Sequence, residues 1–106
     1  MINFQQFKSM DIRIARVKDV RDHPNADKLY IVTVDTGEGD KTVVAGIKNF
    51  YDKESLLNKQ VVLLNNLEPA EIRGVASNGM ILATKDGEKM SLLVPEKEVK
   101  DGSPVS

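Results

Sequence analysis

The alternation of apolar and polar residues between Asp11 and Arg21 constrains the fold of this chain more than any other feature. Ile12 and Ile14 fall on one face of a strand, but the next apolar residues, Val17 and Val20, no longer keep that alternation. A change of parity inside a strand indicates a β-bulge, because one extra residue turns the following side chains to the opposite face. The segment is typical of a strongly coiled strand that serves both halves of a small barrel.

Further strands are predicted in segments rich in β-branched and apolar residues that are separated by turn signals. They span Leu29 to Asp35, Thr42 to Ile47, Val61 to Leu64, Gly79 to Thr84 and, beyond the turn at Asp86-Gly87, Met90 to Val94. A short helix is predicted between Asn49 and Asn58, with Asp52 at its N-cap. Three strands, a helix and two strands are the order of the five-stranded Greek-key OB-fold barrel. The sequence therefore predicts an all-β fold of this kind.

Length and composition limit what the chain can do. With 106 residues it forms one domain, and without cysteine it has no disulfide, catalytic thiol or thiolate metal site. The net charge of −1 is not that of a typical nucleic-acid-binding domain, so such binding would need a local basic stripe. No apolar run reaches membrane-spanning length and no signal peptide is visible, so we expect a cytoplasmic location and no membrane partner.

Both ends of the chain extend beyond the predicted barrel. A short helix is predicted within residues 1–10, with a capping box formed by Asn3 and Gln6. Its apolar stripe consists of Phe4, Phe7 and Met10. A helix this short is marginal alone, so it must dock on the domain's own core or on a second copy of the chain. With residues 90–106 as a C-terminal dimerisation extension, a closed symmetric homodimer would bury these surfaces.

Two loops carry the most distinctive chemistry, and in an OB fold such loops bind oligonucleotides or oligosaccharides together with strands 2 and 3. In the first, residues 23–28, Asn25 could contact a base edge or ribose and Lys28 a phosphate. His23 is the only histidine. A multi-histidine metal site is therefore impossible, and we expect His23 to be structural. No metal or cofactor is predicted.

The second loop, residues 65–78, leads into a strand through Asn78-Gly79, a pair that tolerates positive φ. Ser77 and Met80 flank this turn, and an exposed Met80 could offer a soft apolar surface to a nucleobase. The alternative is that Met80 begins a core strand and Ser77 satisfies a turn amide. Spacing alone favours that alternative, because methionine is usually buried.

Catalysis finds little support in the sequence. The glycines form neither a GxxxxGK[ST] nor a GxGxxG phosphate-binding pattern, and no nucleophile, base and orienting residue fall at characteristic spacings. We expect a chain that is not an enzyme.

Several motifs in the same order resemble the tRNA-binding domain family over essentially the whole chain. This OB-fold module occurs as the C-terminal domain or beta subunit of methionyl-tRNA synthetases and as stand-alone tRNA-binding proteins. The matching stretches are Asn3 to Arg13, His23 to Leu29, Val44 to Ile47, Asn66 to Pro69 and Ile72 to Met80.

This resemblance implies a homodimer whose two barrels form one concave surface for the outer corner of L-shaped tRNA, recognised by backbone shape. The methionyl-tRNA synthetase catalytic chain becomes a candidate partner. Phe4 and Phe7 are implied in the dimer interface. The implied tRNA contacts, expected to converge on one face, are Asn25, Lys28, Arg73, Ser77 and Met80.

Two other functions remain open. A related stand-alone OB-fold dimer could act as a chaperone for unfolded polypeptides through an exposed apolar groove. The chain could also be a purely structural dimerisation appendix that touches no RNA. Binding that falls steeply with ionic strength would indicate phosphate contacts, whereas apolar peptide capture would not.

Overall fold

Short β-branched segments become strands in the structure, a computed structural model that describes all residues from 1 to 106. Five strands form one sheet in the order β3-β2-β1-β4-β7, while β5–β6 and β8–β9 are separate two-stranded hairpins. The elements in chain order are α1 (Phe4–Lys8), β1 (Ile12–Asp22), β2 (Tyr30–Asp35), β3 (Asp40–Ala45), α2 (Lys53–Leu56), β4 (Gln60–Leu64), β5 (Ala70–Ile72), β6 (Val75–Ser77), β7 (Met80–Ile81), β8 (Ala83–Asp86) and β9 (Lys89–Leu92).

Strand β1 serves both halves of the barrel, as its sequence predicts. Residues 12–16 pair antiparallel with β4, and residues 16–22 pair antiparallel with β2. The register shifts between Val17 and Asp19, which places the predicted bulge at Lys18. The bulge allows Val17 and Val20 both to face the core despite their irregular spacing, whereas Ile14 is buried outside the core cluster. The predicted coiled strand is therefore confirmed.

The sheet curls until β3 approaches the chain that leads into β7. The Asn78 amide donates to the Thr42 carbonyl at 3.0 Å, and the Val44 amide donates to Ser77 Oγ at 2.9 Å. These bonds produce a nearly closed five-stranded barrel, and the predicted all-β OB-type fold is confirmed. Small branched residues fill its interior. The largest fully buried side chains are Val17, Val32, Val34, Val43, Leu56, Val61 and Leu63.

The predicted fifth strand from Gly79 to Thr84 is wrong as one continuous strand. Ile81 pairs with Leu63 in the barrel, whereas Ala83 pairs with Leu92 in the β8–β9 hairpin. At Leu82 the chain leaves its pairing with β4 and begins to pair with β9. The alternation of apolar and polar residues does not indicate this change of pairing strand. The position just before β7 favours glycine, because a Cβ atom on Gly79 would lie only 3.0 Å from the Leu64 carbonyl oxygen.

Each terminal segment is fixed by its own set of hydrogen bonds. The predicted capping box is present, since Asn3 and Gln6 each donate a backbone N–H to the other's side-chain oxygen at 2.9 Å. At the other end, the Gly102 and Val105 amides donate to the Ile14 and Ile12 carbonyls at 2.7 and 2.8 Å. The C-terminal residues thus cover the free edge of β1 within one chain. Neither helix has the length and apolar character needed to span a membrane.

Candidate nucleic-acid interface

Residues 23–29 and the tip of the β5–β6 hairpin meet through His23. Its ring is buried, and Nε2 lies 2.9 Å from the Ile72 carbonyl oxygen while Nδ1 accepts the Asn25 amide proton at 3.0 Å. Because Nδ1 accepts and the carbonyl can only accept, the proton of the neutral ring must be on Nε2. The expected structural role of His23 is confirmed. It joins two loops that are distant in sequence.

The hairpin tip is held in a conformation that few residues adopt. Arg73 has φ of 53° and Gly74 has φ of 89°, as a tight primed hairpin turn requires at both central positions. Glycine tolerates this conformation, whereas arginine is uncommon there and needs support from its surroundings. Asn25 supplies that support, since its Nδ2 donates to the Arg73 carbonyl at 3.1 Å. The two loops therefore form one braced ridge, defined as residues 23–29 together with 72–75.

Lys28 and Arg73 line a cleft of about 450 Å³ in this ridge, together with Ala26, Asp27 and Leu29. Both basic residues are exposed, and neither forms an ion pair or a side-chain hydrogen bond within the chain. Next to the ridge, Lys48 and Lys53 share the Asp22 carboxylate, at 3.2 and 3.1 Å. Two free cations on a braced backbone form a site for an anion such as a phosphate group.

The arginines on β1 have a different environment. Arg13 contacts the carboxylates of Asp11 and Glu38, and Arg16 contacts Asp101 at 3.1 Å and Glu98 at 3.2 Å. These arginines tie the chain termini and the β2–β3 turn to the barrel. Their guanidinium groups are already paired with carboxylates, whereas Lys28 and Arg73 have no such partner.

These ion pairs shift the titration of the acids that hold them. The hydrogen bond from Arg13 lowers the pKa of Asp11 below its ordinary value, although burial acts in the opposite direction. Burial also acts to raise the pKa of Asp101, but hydrogen bonds from Gln60 and Arg16 outweigh it, and that pKa is lowered. Both carboxylates are therefore ionised at neutral pH.

Ser77 lies behind the ridge rather than on its surface. It is buried, its Oγ accepts the Val44 amide proton at 2.9 Å, and it donates to the Gly79 carbonyl at 3.2 Å. These bonds help to close the barrel and fix the path of β6. In this single chain Ser77 can influence a bound RNA by positioning the hairpin, and its hydroxyl does not face solvent.

Met80 is on the surface, so the alternative that places it in the core is wrong. The residue is 49% exposed and its backbone pairs with Leu64 at the base of the hairpin. The seven residues from Arg73 to Met80 span at most about 23 Å of extended chain. Met80 does not line the cleft of Lys28 and Arg73. Of the five predicted contacts, the structure brings Asn25, Lys28 and Arg73 together.

The predicted dimer residues lie on α1. Phe4 is 69% exposed and Phe7 is half-buried. Asn66 fixes the helix to the barrel, since its Nδ2 donates to the Ser9 carbonyl at 2.8 Å and its Oδ1 accepts the Asp11 amide proton at 2.8 Å. An apolar side chain is thus held in solvent by a braced helix.

Three features of the structure were not predicted from the sequence. They are the β5–β6 hairpin itself, the bond from Asn25 to the Arg73 carbonyl, and the use of Asn66 as an anchor for α1. Only the Asn65-Asn66 doublet at a strand end gives a signal, because asparagine side chains often bond to nearby backbone. No cluster of three His, Cys, Asp or Glu side chains could hold a metal ion.

The barrel and its basic, braced loops define a nucleic-acid-binding domain of the OB type. Residues 12–104 match the family described as "Putative tRNA binding domain". The chain is 54% identical to the methionine–tRNA ligase of Pyrococcus furiosus over 104 residues, which is 98% of this chain. The chain belongs to the tRNA-binding domain family.

Two solved structures share this fold over nearly the whole chain. A MetRS-related protein from Pyrococcus horikoshii matches with a TM-score of 0.92 and 27% identity, over 100% of this chain and 98% of that one. The CsaA chaperone protein from Picrophilus torridus also matches with a TM-score of 0.92, at 30% identity over the full length of both chains. The chain spans about 14% of the length of the ligase relatives it matches. It is a non-catalytic binding domain related to synthetases.

Proposed function

We propose that this domain binds the outer corner of L-shaped tRNA as a symmetric homodimer in the cytoplasm. It does so without sequence preference and assists a methionyl-tRNA synthetase, either as its beta subunit or as its C-terminal domain. The tRNA-binding class follows from the family. The homodimer, the part of tRNA that is bound and the relation to the synthetase are our inference.

The observation that carries this proposal is the pair of unpartnered cations on the ridge. Lys28 and Arg73 line one cleft, and the loops that bear them are joined by the side chains of His23 and Asn25. A braced site loses little conformational freedom when a phosphate binds, so more of the interaction energy remains for affinity. Asn25 still has a free carbonyl oxygen that can accept a hydrogen bond from a ribose hydroxyl.

Recognition by shape is consistent with the composition of the chain. Only five residues are aromatic, and the tyrosine hydroxyls are used inside the domain by the Tyr51 carbonyl and the Leu92 amide. Proteins that read folded RNA by shape contact phosphates and 2′-hydroxyls, and they need few stacking residues. In this proposal Lys28 and Arg73 contact phosphate, Asn25 and Met80 contact sugar or base edges, and Ser77 positions the hairpin.

The homodimer is supported by exposed apolar residues at the N-terminus. Met1, Ile2, Phe4 and Met10 are all exposed, although α1 is fixed to the barrel by Asn66. A two-fold interface buries the same patch on both copies and leaves no exposed apolar patch for further association. The Phe4→Ala, Phe7→Ala double variant should shift the protein toward monomer in sedimentation velocity, and a wild-type monomer peak at micromolar concentration would contradict the homodimer.

Assistance to a synthetase is supported by the ligase relatives. A region similar to this whole chain makes up about 14% of each of those proteins. The domain could act within a larger chain or as a separate subunit, and in both cases it would add tRNA affinity to a catalytic unit. Added tRNA affinity should lower the apparent KM for tRNA of a matched methionyl-tRNA synthetase catalytic chain. An unchanged KM would contradict this part of the proposal.

A polypeptide chaperone is the second candidate, because the full-length match to the Picrophilus torridus CsaA chaperone protein favours it. A purely structural dimerisation appendix is the third. One experiment separates the three. Total tRNA and a reduced, unfolded polypeptide are titrated separately against the protein at 50 and 200 mM salt. Our proposal requires tRNA binding that weakens steeply between the two salt concentrations. Salt-independent polypeptide capture without tRNA binding would indicate the chaperone, and no binding of either would indicate the appendix.

A further inference from the structure

An exposed aromatic groove lies outside the ridge. Phe50 follows the end of β3, is 39% exposed, and lines a groove of about 480 Å³ against the β8–β9 hairpin. Thr84, Lys89 and Met90 form part of the opposite wall. Phe50 is the one aromatic residue outside α1 that is exposed. Its exposure therefore needs an explanation.

The position of Phe50 is fixed by the core and is not the result of a loose loop. The amides of Phe50 and Tyr51 both donate to the Ile47 carbonyl, at 3.0 and 3.1 Å. The hydroxyl of buried Tyr30 donates to the Tyr51 carbonyl at 2.7 Å, and the Tyr51 hydroxyl accepts the Leu92 amide proton at 3.0 Å. Three hydrogen bonds thus fix Tyr51, the residue next to Phe50. The phenyl ring is presented to solvent on a rigid support.

The charges around the ring are mixed, with two unpaired lysines and two carboxylates. The Lys85 ammonium lies 5.8 Å from the centroid of the Phe50 ring, and Lys89 lines the groove. Neither lysine has a carboxylate partner within ion-pair distance. Asp86 and Glu88 also line the groove near the hairpin turn, where they can accept hydrogen bonds from base amino groups. An aromatic face with both free cations and polar acceptors suits a nucleotide better than an aliphatic peptide side chain.

The groove and the ridge lie at the same end of the barrel. The pair Tyr30–Ala45 closes the β2–β3 ladder at the end where residues 23–29 enter. A Cβ atom on Gly46 would lie 3.6 Å from Leu29 Cδ2, and Leu29 lines the cleft of Lys28 and Arg73. From Gly46 to Phe50 is four residues, or at most about 14 Å of chain. Phe50 therefore lies within the length of a few nucleotides from Gly46, which is next to the cleft residue Leu29.

We propose that Phe50 stacks on an unpaired nucleotide of the RNA whose phosphates are bound at Lys28 and Arg73. The inference rests on the proposed tRNA-binding function and adds to it a contact that shape readout alone does not require. The base lies on the ring face that lines the groove, and Lys89 contacts the phosphate of the same nucleotide. Stacking of this kind tolerates any base, because every base has a π-face.

The test is the affinity of total tRNA for Phe50 variants, measured together with their melting temperatures. Phe50→Ala should weaken binding roughly 5- to 150-fold, which is the range for loss of one base–aromatic stack. The salt dependence of binding should stay unchanged, because a phenyl ring displaces no counterion. Phe50→Trp should retain binding, whereas Phe50→Leu, which keeps apolar bulk but has no π-face, should lose it.

The matched control is Leu57→Ala. Leu57 is 42% exposed and lies on the same connection between β3 and β4, but it does not line the groove. It should bind tRNA like the wild type. With a fully paired RNA duplex, which has no unpaired nucleotide, Phe50→Ala should differ from the wild type less than it does with tRNA.

Two results would overturn the inference. If Phe50→Ala or Phe50→Leu bound tRNA like the wild type, no stacking contact would exist, while the proposed tRNA-binding function would stand on the wild-type affinity. If Phe50→Ala lost capture of an unfolded polypeptide but kept its tRNA affinity, the groove would be a peptide site. Failure of the wild type to bind tRNA would instead overturn the proposed function itself, so the two failures are distinguishable.

Discussion

Two sets of basic residues in this domain have opposite surroundings. Arg13 and Arg16 on β1 contact four carboxylates, whereas Lys28 and Arg73 on the ridge contact none. The net charge of −1 averages over both sets and hides the difference. A cation already paired within the fold has little left to offer a phosphate. Unpaired charge that lines the braced cleft, rather than total charge, therefore marks the candidate RNA surface.

The two regions also differ in what holds them together. On β1, ion pairs and backbone bonds fix the C-terminal residues to the barrel, as between Gly102 and Ile14. On the ridge, neutral hydrogen bonds from His23 and Asn25 brace the loops and leave the cations free. Charge stabilises the fold in the first region, and in the second the fold holds charge ready for a ligand.

The largest effect should come from reversing charge on the ridge. Lys28→Glu with Arg73→Glu should weaken tRNA binding more than 100-fold at about 0.1 M salt, because two attractive contacts become repulsive. The melting temperature should stay near that of the wild type, since neither side chain has a partner in the fold. Filter binding and thermal unfolding on the same samples would measure both effects.

The matched control reverses two exposed lysines away from the ridge. Lys18 and Lys97 are likewise exposed and without ion pairs. If Lys18→Glu with Lys97→Glu weakened binding as much as the ridge variant, net charge would matter more than its location, and the contrast between the regions would fail.

Removing Arg13 should have the opposite profile. Its side chain is 13% exposed and holds Asp11, Glu38 and the Thr36 carbonyl. Arg13→Ala should lower the free energy of unfolding by about 1.5–3 kcal/mol, the range for hydrogen bonds to charged groups. The tRNA affinity of the folded protein should not change. Urea unfolding with a tRNA titration would check this, and lost affinity at full stability would assign Arg13 to the RNA surface instead.

Ser77 and Met80 give a finer version of the same contrast. Ser77→Ala leaves the Val44 amide without its partner and should cost about 1–3 kcal/mol of stability. Because Met80 is half-exposed, Met80→Ala should cost less than about 1 kcal/mol. It should weaken tRNA binding by a few-fold with no change in salt dependence. A Met80→Ala protein with lost stability and intact affinity would remove Met80 from the proposed surface.

The smallest effect concerns acid pH. The pKa values of Asp11 and Asp101 are lowered in the folded state, so their unfolded forms take up protons first as the pH falls. Their contribution to stability is fully present above about pH 4, near the unfolded pKa, and is lost as the pH falls through the folded values. Denaturant unfolding between pH 6 and 3 should show this decline, and a smaller decline in Asp101→Asn. A stability that rises below pH 4 would contradict the assigned ion pairs.

Much of the fold was predictable because its signals are local. The bulge follows from the spacing of Val17 and Val20, the capping box from Asn3 and Gln6, and the order of strands from turn residues. The exchange of partners at Leu82 was not predictable, since both sides of it read as one strand. Pairing partners are long-range, and alternation reports only which face of a strand is buried.

The candidate site was predictable in its residues but not in its geometry. Lys28 and Arg73 follow from the resemblance, but nothing in the sequence shows that Asn25 braces the Arg73 backbone, which is 48 positions further along the chain. Ser77 was implied as a tRNA contact by the resemblance and is buried, because its hydroxyl replaces a backbone acceptor in barrel closure. Phe50 gave no signal at all, since its exposure depends on Tyr30 and Tyr51 beneath it.

The most direct test of the central claim is the slope of log affinity for tRNA against log salt concentration. It is measured for the wild type, for Lys28→Ala with Arg73→Ala, and for Lys18→Ala with Lys97→Ala. Each phosphate contact contributes roughly one to the slope, so the ridge variant should have a slope shallower by about two. The Lys18 and Lys97 variant should keep the wild-type slope. Equal slopes for the wild type and the ridge variant would contradict the claim that Lys28 and Arg73 contact the RNA backbone.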